Sequence, residues 1–420
     1  MEKVTASVIT IGDELLIGQV IDTNSSWIAK ELNKVGIWVT RRVAVGDVWA
    51  DIWQALDEES RRADLVLITG GLGPTSDDIT KPLLCEYFGG RMVTDAPTLE
   101  HLKDLFENVL KRPMIGRNAQ QAQVPDVCTV LKNDRGTAPG MLFEKNGKTF
   151  ISMPGVPSEM QSIMLNEAIP RIVKKYRTGH IIHRTLLTAG IGESYLADML
   201  SAFEAGLPGY IKLAYLPNYG LVRLRLTMTG ADEAAMTTEI DARFGHLKEL
   251  VKEYLVTDSD IPMEAVVGEL LLARKQTVAT AESCTGGYIA HLLTSIPGSS
   301  AYYMGSVVSY DYRIKKEVLG VRDETLLTYG AVSEETVREM VAGILGMMRT
   351  DFAVAVSGIM GPGGGMPGKP VGQVWMAIAS RERVVTKKFN FRFDRGRNIQ
   401  LTAVNALDQL RRFILETGRP

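Results

Sequence analysis

The sequence has few cysteines and no long apolar segment. Its 420 residues include three cysteines, Cys85, Cys128 and Cys284, which lie far apart along the chain. Disulfide frameworks and cysteine-based zinc sites need several cysteines at short spacings, so neither is indicated. No apolar run reaches the roughly 18 residues of a membrane-spanning helix, and the chain enters a predicted strand at Val4 instead of a signal segment. We therefore expect a cytoplasmic protein that makes no contact with a membrane.

An excess of charge of one sign is also missing. The chain has 47 Lys and Arg residues against 49 Asp and Glu residues, which gives a formal net charge of −2. Proteins that bind nucleic acid in general carry a basic surplus, because they must neutralise phosphate charges. The nearly neutral balance argues against general nucleic-acid binding.

The length of the chain exceeds what one hydrophobic core accommodates, so several domains are expected. Predicted strands and helices alternate over residues 1–170. Residues 171–257 differ, with three predicted strands and a charged helical run from Asp232 to Tyr254. A polar break ending at Asp260 precedes a second alternating region, residues 258–420. We predict an α/β protein in which two α/β three-layer domains are joined by a small α+β middle domain.

Apolar spacing and strand patterns locate elements within the two larger domains. In the first domain, Trp27, Ile28, Leu32 and Val35 recur at the spacing of one helix face, which predicts a buried stripe. The last domain should begin with a helix from Met263 to Arg274. Its predicted strands lie near residues 277, 305, 352 and 372.

Ser283 lies where a predicted strand, Thr277 to Thr280, turns into a helix that begins near Tyr288. A hydroxyl at such a turn stands clear of its neighbours. The glycines that follow would let a substrate approach backbone N–H groups at the positive end of the helix dipole. We interpret Ser283 as a nucleophile, with N–H groups from Thr285 to Gly287 holding an oxyanion. The alternative is that Ser283 or Thr285 is only a helix N-cap.

A serine nucleophile needs a base, and Lys315 is the candidate. A desolvated lysine can take a proton once its pKa falls from about 10.4 toward neutrality. His291 follows Ser283 by eight residues, and the other four histidines lie before residue 247, so a Ser-His triad is not favoured. Cys284 lacks a histidine partner too, and we interpret it as packing. Lys316 is an alternative base, although adjacent residues point in different directions.

Two features of the last domain are typical of phosphate binding. A glycine-rich loop, Gly361 to Gly365, directly follows the apolar strand Phe352 to Val356, and glycines leave backbone amides open to an anion. The alternative is a mobile loop. Arg395 offers paired donors to phosphate, although an arginine at the start of a surface helix is often only solvated.

The first domain contains a second candidate site. A glycine-rich turn, Gly70 to Pro74, follows the buried strand Leu65 to Thr69, and Asp77 and Asp78 precede a helix near Ile79. A helix start accepts anions, and two carboxylates can bind Mg²⁺ or a similar divalent metal. Phosphoanhydride cleavage would fit this combination. Alternatively, Asp77 or Asp78 only caps the helix.

Many separate blocks of the sequence, in one order, resemble the CinA family. In the last domain these are Glu282-Ser283-Cys284-Thr285-Gly286-Gly287, Pro297-Gly298-Ser299-Ser300, Gly330-Ala331-Val332-Ser333-Glu334, Gly358-Ile359, Gly361-Pro362-Gly363-Gly364 and Lys369-Pro370-Val371-Gly372. In the first domain they are Gly12-Asp13-Glu14-Leu15-Leu16, Asp22-Thr23-Asn24-Ser25, Gly70-Gly71-Leu72-Gly73-Pro74-Thr75-Ser76-Asp77-Asp78 and Met153-Pro154-Gly155-Val156-Pro157-Ser158-Glu159-Met160.

The resemblance implies that the last domain is a nicotinamide-mononucleotide deamidase. The family's serine and lysine dyad falls on Ser283 and Lys315, and Tyr310 matches a tyrosine that would orient the lysine or relay protons. The family usually has serine and asparagine where this chain has Asp311 and Tyr312. Deamidation is expected to need no cofactor. On the family blocks and the phosphate features together, we assign substrate contacts to Thr285, Gly286, Gly287, Ser299, Ser300, Gly361, Gly363 and Arg395.

For the first domain the resemblance implies a molybdopterin-binding-like fold with ADP-ribose pyrophosphatase activity, using a divalent metal at Asp77 and Asp78. Asp13, Asn118 and Asn133 occupy further family positions for which the residues suggest no role. The resemblance also implies a KH-like middle domain and a homodimer. The alternative function is a non-catalytic nucleotide- or molybdopterin-binding scaffold, which would be indicated by a missing nucleophile or base.

Overall fold

A computed structural model describes residues 4–75 and 77–417. By its internal contacts the chain forms two compact units: Met1–Ile182 with Met228–Thr237, and His183–Thr227 with Thr238–Pro420. The predicted domain boundaries at residues 170 and 257 stay predictions. None of the described helices is both long enough and apolar enough to cross a membrane.

The first domain is built around a six-stranded sheet with the order β2-β1-β3-β8-β7-β6. Strands β2, β1, β3 and β8 are mutually parallel, whereas β7 is antiparallel to β8, and β6 is antiparallel to β7. Strands β4 and β5 form a separate antiparallel pair. The strands are β1 Thr5–Ile11, β2 Trp38–Val45, β3 Leu65–Thr69, β4 Met92–Thr94, β5 Gln123–Pro125, β6 Thr129–Leu131, β7 Gly140–Lys145 and β8 Lys148–Met153.

Helices cover both faces of this sheet and bury two apolar clusters. The helices are α1 Asp13–Ile17, α2 Thr23–Lys34, α3 Trp49–Arg62, α4 Thr80–Tyr87, α5 Ala96–Asp104, α6 Gly116–Ala119, α7 Pro157–Ile163 and α8 Ile169–Lys175. Helices α3 and α4 pack on one face, and α2, α7 and α8 pack on the other. The predicted stripe of α2 is confirmed, because Ile28 and Leu32 are fully buried and Trp27 and Val35 pack against the same cluster.

The middle region is a four-stranded sheet with two helices. Its strands, in the order β10-β11-β9-β12, alternate with helices as β9 His180–Ala189, α9 Glu193–Ala205, β10 Ile211–Asn218, β11 Leu221–Gly230, α10 Glu233–Leu250 and β12 Leu255–Thr257. This agrees with the predicted α+β composition.

The last domain contains a five-stranded sheet with the order β14-β13-β15-β16-β17. Its strands are β13 Val278–Glu282, β14 Tyr303–Val308, β15 Phe352–Gly358, β16 Gln373–Ala379 and β17 Val384–Asn390. Its helices are α11 Met263–Arg274, α12 Tyr288–Thr294, α13 Tyr312–Glu317, α14 Asp323–Tyr329, α15 Glu334–Met348 and α16 Arg395–Thr417. The first three strands in this order are mutually parallel, and β16 and β17 are antiparallel additions at one edge.

The two faces of this sheet are covered by different helices. Helix α15 packs on one face through residues such as Val337 and Ile344. Helices α11, α12 and α16 pack on the other, where α16 buries Leu407, Leu410 and Phe413. The predicted three-layer α/β architecture is therefore confirmed, and the helix that begins at Arg395 belongs to the core for most of its length.

Candidate functional site

Ser283 and Lys315 are brought together at one edge of the last domain's sheet. Strands β13 and β14 are parallel, with Glu282 paired to Val308, so the residues after them emerge at the same edge. Ser283 directly follows β13, and Lys315 lies on the short helix α13 that follows β14. The Nζ atom of Lys315 donates a hydrogen bond to Oγ of Ser283 at 3.0 Å. Both side chains are buried, with 1% of Lys315 and 9% of Ser283 exposed.

The lysine is held in surroundings that favour its neutral form. Burial lowers the pKa of Lys315 to about 8, and the nearby carboxylate of Asp311 opposes this shift without cancelling it. Its Nζ atom also donates to the carbonyl oxygen of Ser309, and to that of Tyr310 at 3.5 Å. A lysine with such a pKa can release its proton near neutral pH, as a general base must.

The alternative base, Lys316, points elsewhere. Its Nζ atom pairs with the Asp323 carboxylate at 2.5 Å on the protein surface. Cys284 is buried, and burial raises the pKa of its thiol to about 12, so its sulfur stays protonated. Its side chain lies in the apolar cluster under α12, in agreement with the packing role expected for it.

Glu282 holds the turn that carries the serine, a role that was not predicted from the sequence. Its side chain is fully buried at the end of β13. The carboxylate accepts a hydrogen bond from the Thr285 hydroxyl at 2.7 Å. It also accepts from the backbone N–H groups of Gly287, Ile289 and Ala290 at 3.1, 3.0 and 2.8 Å. A buried negative charge at the start of α12 is stabilised by these donors and by the helix dipole.

These bonds change the set of N–H groups open to an oxyanion. The amide of Gly287 donates to Glu282, and that of Gly286 donates to the carbonyl of Ser283 at 3.2 Å. Within the turn from 283 to 287, all of which is described, only the amides of Cys284 and Thr285 donate to no other group. The amides of Gly286 and Gly287 are thus engaged within the turn, and the predicted donors to an oxyanion, Thr285 to Gly287, stay a prediction. Gly286 and Gly287 have φ angles of +62° and +97°, a backbone conformation that glycine adopts more easily than other residues.

The hydroxyl of Tyr310 contacts Arg395 and not the lysine. This hydroxyl accepts a hydrogen bond from the Arg395 guanidinium at 3.0 Å. The same guanidinium donates to the carbonyl of Gly361 at 2.9 Å. Among the described residues, the hydroxyl of Tyr310 makes no hydrogen bond with Lys315. Arg395 and Gly361 are thus brought to the edge that carries the dyad, and the predicted orientation of Lys315 by the tyrosine hydroxyl is not found.

The two positions that depart from the family pattern have local roles. The carboxylate of Asp311 caps α13 by accepting from the amide of Arg313 at 2.7 Å. The ring of Tyr312 lies with its centroid 6.0 Å from Nζ of Lys315 and is largely exposed. A polar cap therefore persists although the usual serine is absent.

Ser299 and Ser300 are not brought to the dyad. They lie on a short 3₁₀ turn that precedes β14, whose first residue pairs with Val278 at the start of β13. Ser283 lies past the other end of β13, about 16 Å from Val278 along the strand. The structure therefore does not bring these serines to Ser283 within the chain, and their contact with a substrate stays a prediction. Gly363 lies in the exposed part of the loop after β15.

The first domain has a cavity of about 380 Å³ at the carboxyl edge of its parallel strands. Backbone segments that follow β1, β3 and β8 line it, including the glycine turn at residues 70–73. Five carboxylates also line it: Glu14, Asp47, Asp77, Asp78 and Glu159. No Lys or Arg is found among the described residues of its lining. Burial raises the pKa of Asp47, and the charges of Asp13, Glu14 and Asp77 add to this rise.

The carboxylates of this cavity differ in how free they are. Both oxygens of Asp78 accept hydrogen bonds within the turn, from the amides of Gly73 and Thr75 at 2.8 Å each. Asp77 is exposed. Asp13 and Asp47 each accept from the amide of the other at 3.2 Å. Asp78 therefore organises the glycine turn, but it does not cap α4, which has no side-chain cap hydrogen bond at its start.

The donor chemistry of this cavity fits a divalent metal shared with a phosphate. Carboxylate oxygens are the preferred ligands of Mg²⁺ and similar ions. No group of three or more His, Cys, Asp or Glu residues is arranged to hold an ion, as far as the chain is described. Mg²⁺ is commonly held by one or two carboxylates together with substrate phosphates. A site where the protein supplies only one or two of the ligands therefore still fits a metal that is shared with a phosphate.

Three family models match successive parts of the chain. Residues 7–174 match the probable molybdopterin binding domain, residues 183–257 the damage-inducible protein CinA KH domain, and residues 260–414 the CinA C-terminal domain. The middle match confirms the predicted KH-like domain.

Relatives are similar over nearly the whole length. A CinA-like protein of Cytophaga hutchinsonii is 46% identical over 411 residues, covering 98% of both chains. One of Flavobacterium psychrophilum is 44% identical over 412 residues, covering 98% of this chain and 99% of the relative. The solved structure of a competence damage-inducible protein A from Klebsiella pneumoniae is 39% identical, covers 37% of this chain and 97% of that one, and has a TM-score of 0.36. The chain belongs to the CinA family.

Proposed function

We propose that the last domain hydrolyses the carboxamide of nicotinamide mononucleotide to nicotinate mononucleotide and ammonia. The observation that carries this proposal is the buried contact of 3.0 Å between Lys315 Nζ and Ser283 Oγ. A serine beside a lysine whose pKa lies near 8 has the two groups that amide hydrolysis requires, an activated nucleophile and a proton carrier. The resemblance of the last domain to the CinA family supports a pyridine nucleotide as the substrate.

In the first half of the reaction, neutral Lys315 takes the proton from the Ser283 hydroxyl as its oxygen attacks the carboxamide carbon. The carbonyl oxygen becomes an oxyanion, which the amides of Cys284 and Thr285 would stabilise. The protonated lysine then gives its proton to the departing nitrogen, the C–N bond breaks and ammonia leaves. An ester between Ser283 and the nicotinoyl group remains.

In the second half, Lys315 accepts a proton from water as the water oxygen attacks the ester carbon. The bond to Ser283 breaks, the serine oxygen regains a proton and nicotinate mononucleotide is released. We expect Arg395 to pair with the substrate phosphate, because its guanidinium is held at the same edge by Tyr310 and Gly361. Glu282 keeps the nucleophile turn in place throughout.

We also propose that the first domain hydrolyses ADP-ribose to AMP and ribose 5-phosphate. An anionic diphosphate needs its charge balanced in the acidic cavity, and we propose that Asp77 and Asp78 hold a divalent metal for this purpose, with Asp47 lining the same cavity. Such a metal would neutralise phosphate charge and lower the pKa of a bound water. The backbone amides of the glycine turn would contact the phosphate oxygens.

The test is to incubate the purified chain separately with each nucleotide. Ammonia and nicotinate mononucleotide should form from nicotinamide mononucleotide, and AMP and ribose 5-phosphate should form from ADP-ribose with Mg²⁺ present. Binding of nucleotides or of molybdopterin without turnover of either substrate would instead support a non-catalytic role.

A further inference from the structure

A second cavity of about 320 Å³ lies beside the acidic cavity of the first domain. Its lining is mostly apolar and includes Pro97, Val130 and Pro139, together with the ring of His101. Thr137 lines both cavities, so they are neighbours on the two sides of one short loop. The volume falls within the roughly 300–1,000 Å³ of small-molecule sites, and the mostly apolar lining with a few polar groups is typical of them.

The loop between the cavities, residues 133–138, is fixed by Asn133. This residue is 4% exposed, and its side-chain Nδ2 donates to the carbonyl of Ala138 at 2.8 Å and to Glu159 at 2.6 Å. Its Oδ1 accepts from the amide of Arg135 at 3.0 Å. These bonds close the loop on itself and tie it to a carboxylate that lines the acidic cavity. They give a structural role to a family position for which the sequence suggested none.

The loop at residues 133–138 forms a wall between the two cavities, and Gly136 and His101 complete this wall. A Cβ atom on Gly136 would lie 2.0 Å from the carboxyl carbon of Glu159, so a larger residue here would displace the end of this side chain. The Nε2 atom of His101 lies 3.3 Å from the carbonyl of Gly136, which places the imidazole against the wall from the second cavity. The wall is thin and held from both sides.

The charged groups around the second cavity are already paired. Asp95 caps α5 and accepts from the amide and the hydroxyl of Thr98 at 2.9 and 2.6 Å. Lys132 forms an ion pair of 2.7 Å with Asp134. The surfaces left for a ligand are apolar carbon, the His101 ring and the Thr137 hydroxyl. Such a lining suits an uncharged planar ring, which an aromatic side chain can stack on.

We propose that the second cavity binds the heteroaromatic base of a nucleotide whose diphosphate occupies the acidic cavity. This inference rests on the proposed hydrolysis of ADP-ribose and adds the orientation of the substrate. The base and its ribose would lie at the end of the acidic cavity that Thr137 lines. The site would select diphosphates that carry a base over those that carry only sugars, and it would act on binding rather than on bond cleavage.

The experiment compares the two reaction products as ligands, because AMP carries a base and ribose 5-phosphate does not. Pro97→Trp fills the cavity from the exposed first turn of α5, and His101→Ala removes the ring. Each variant should raise the dissociation constant of AMP, measured by calorimetry, by about tenfold or more, and change that of ribose 5-phosphate less than about twofold. Pro113→Trp adds the same side chain at an exposed proline outside the lining and should leave both constants unchanged.

Calorimetry separates this proposal from the proposed hydrolysis, because AMP binding is measured whether or not ADP-ribose is cleaved. Unchanged binding of ribose 5-phosphate shows that the first domain of a variant is folded, and unchanged deamidation shows the same for the last domain. Equal weakening of both ligands, or tight AMP binding by both cavity variants, would overturn the assignment of the base to this cavity.

Discussion

The Nζ atom of Lys315 lies 3.0 Å from Oγ of Ser283, across two segments that are adjacent only because strands β13 and β14 pair in parallel. The contact is made at the carboxyl edge of the sheet, where the chain leaves both strands. Neither residue is exposed enough for water to screen the pair. Substitutions of Ser283, of Lys315 or of the residues that hold them should therefore differ in their effects on activity, pH dependence and stability.

Ser283→Ala should lower the rate of ammonia release from nicotinamide mononucleotide by about a thousandfold or more, since the nucleophile is lost. The change removes one oxygen and no core volume, so the fold and ADP-ribose hydrolysis should persist. Ser309→Ala is the matched control, because this neighbouring buried serine contacts Lys315 only through its backbone carbonyl. Deamidation at a nearly normal rate by Ser283→Ala would rule out the serine mechanism.

The rate of deamidation should rise with pH, because only the neutral form of Lys315 accepts a proton. The pKa of this lysine is lowered by burial to about 8, so kcat/KM measured against pH should climb to a plateau above that value. Lys315→Arg keeps the charge but cannot give up a proton near neutrality and should lose activity. Lys316→Arg, at an exposed ion pair, should behave like the wild type. Turnover by Lys315→Arg with an unchanged pH profile would make Lys315 a binding residue only.

Removal of divalent metal should separate the two proposed activities. EDTA should stop formation of AMP from ADP-ribose, because the acidic cavity cannot accept a diphosphate without a cation. Ammonia release should continue, since the dyad of the last domain needs no metal. The measurement is both assays on one sample with and without EDTA, followed by addition of Mg²⁺. Inhibition of both activities to the same degree would contradict this division.

Glu282→Gln should destabilise the turn at Ser283, because an amide group cannot accept from all the donors that face the carboxylate. Loss of charged hydrogen bonds in a buried place should cost about 2–3 kcal/mol of the free energy of unfolding. Thermal unfolding should shift to lower temperature and deamidation should fall, with ADP-ribose hydrolysis retained. Glu335→Gln, an exposed glutamate in the first turn of α15, is the control. A stable and fully active Glu282→Gln protein would show that the carboxylate is dispensable.

Tyr310→Phe distinguishes a proton relay from a binding role. Because the tyrosine hydroxyl contacts Arg395, its removal should raise KM for nicotinamide mononucleotide severalfold and leave the dependence of kcat on pH unchanged. Steady-state kinetics across pH give both quantities. A shifted pH profile with an unchanged KM would restore the relay role that the sequence suggested.

Local signals predicted much of the fold. Helix α11 runs from Met263 to Arg274 as its pattern indicated, and the stripe of α2 is buried as expected. These features depend on residues close in sequence, which is why their spacing was informative. The antiparallel strand β17 was missed, since its residues are mostly exposed and only its pairing with β16 identifies it.

The site was predictable where chemistry restricts the residue type, and less so where contacts are long-range. Ser283 and Lys315 could be paired because a serine needs a base and few were available. The partner of Tyr310 lies 85 residues further along the chain, and nothing in the local sequence indicates it. The buried carboxylate of Glu282 left one signal, an acidic side chain three residues before Thr285 at the end of an apolar strand.

The hydrogen bonds of Arg395 have an entropic consequence. A flexible arginine loses much of its rotational freedom when it grips an anion, and that loss weakens binding. Here the guanidinium is already immobilised between Tyr310 and the carbonyl of Gly361, so most of this freedom is gone before any ligand arrives. A guanidinium has more N–H donors than these two acceptors use, which leaves some for a phosphate. The last domain thus presents a preorganised cation, held in place by a tyrosine and by a loop carbonyl.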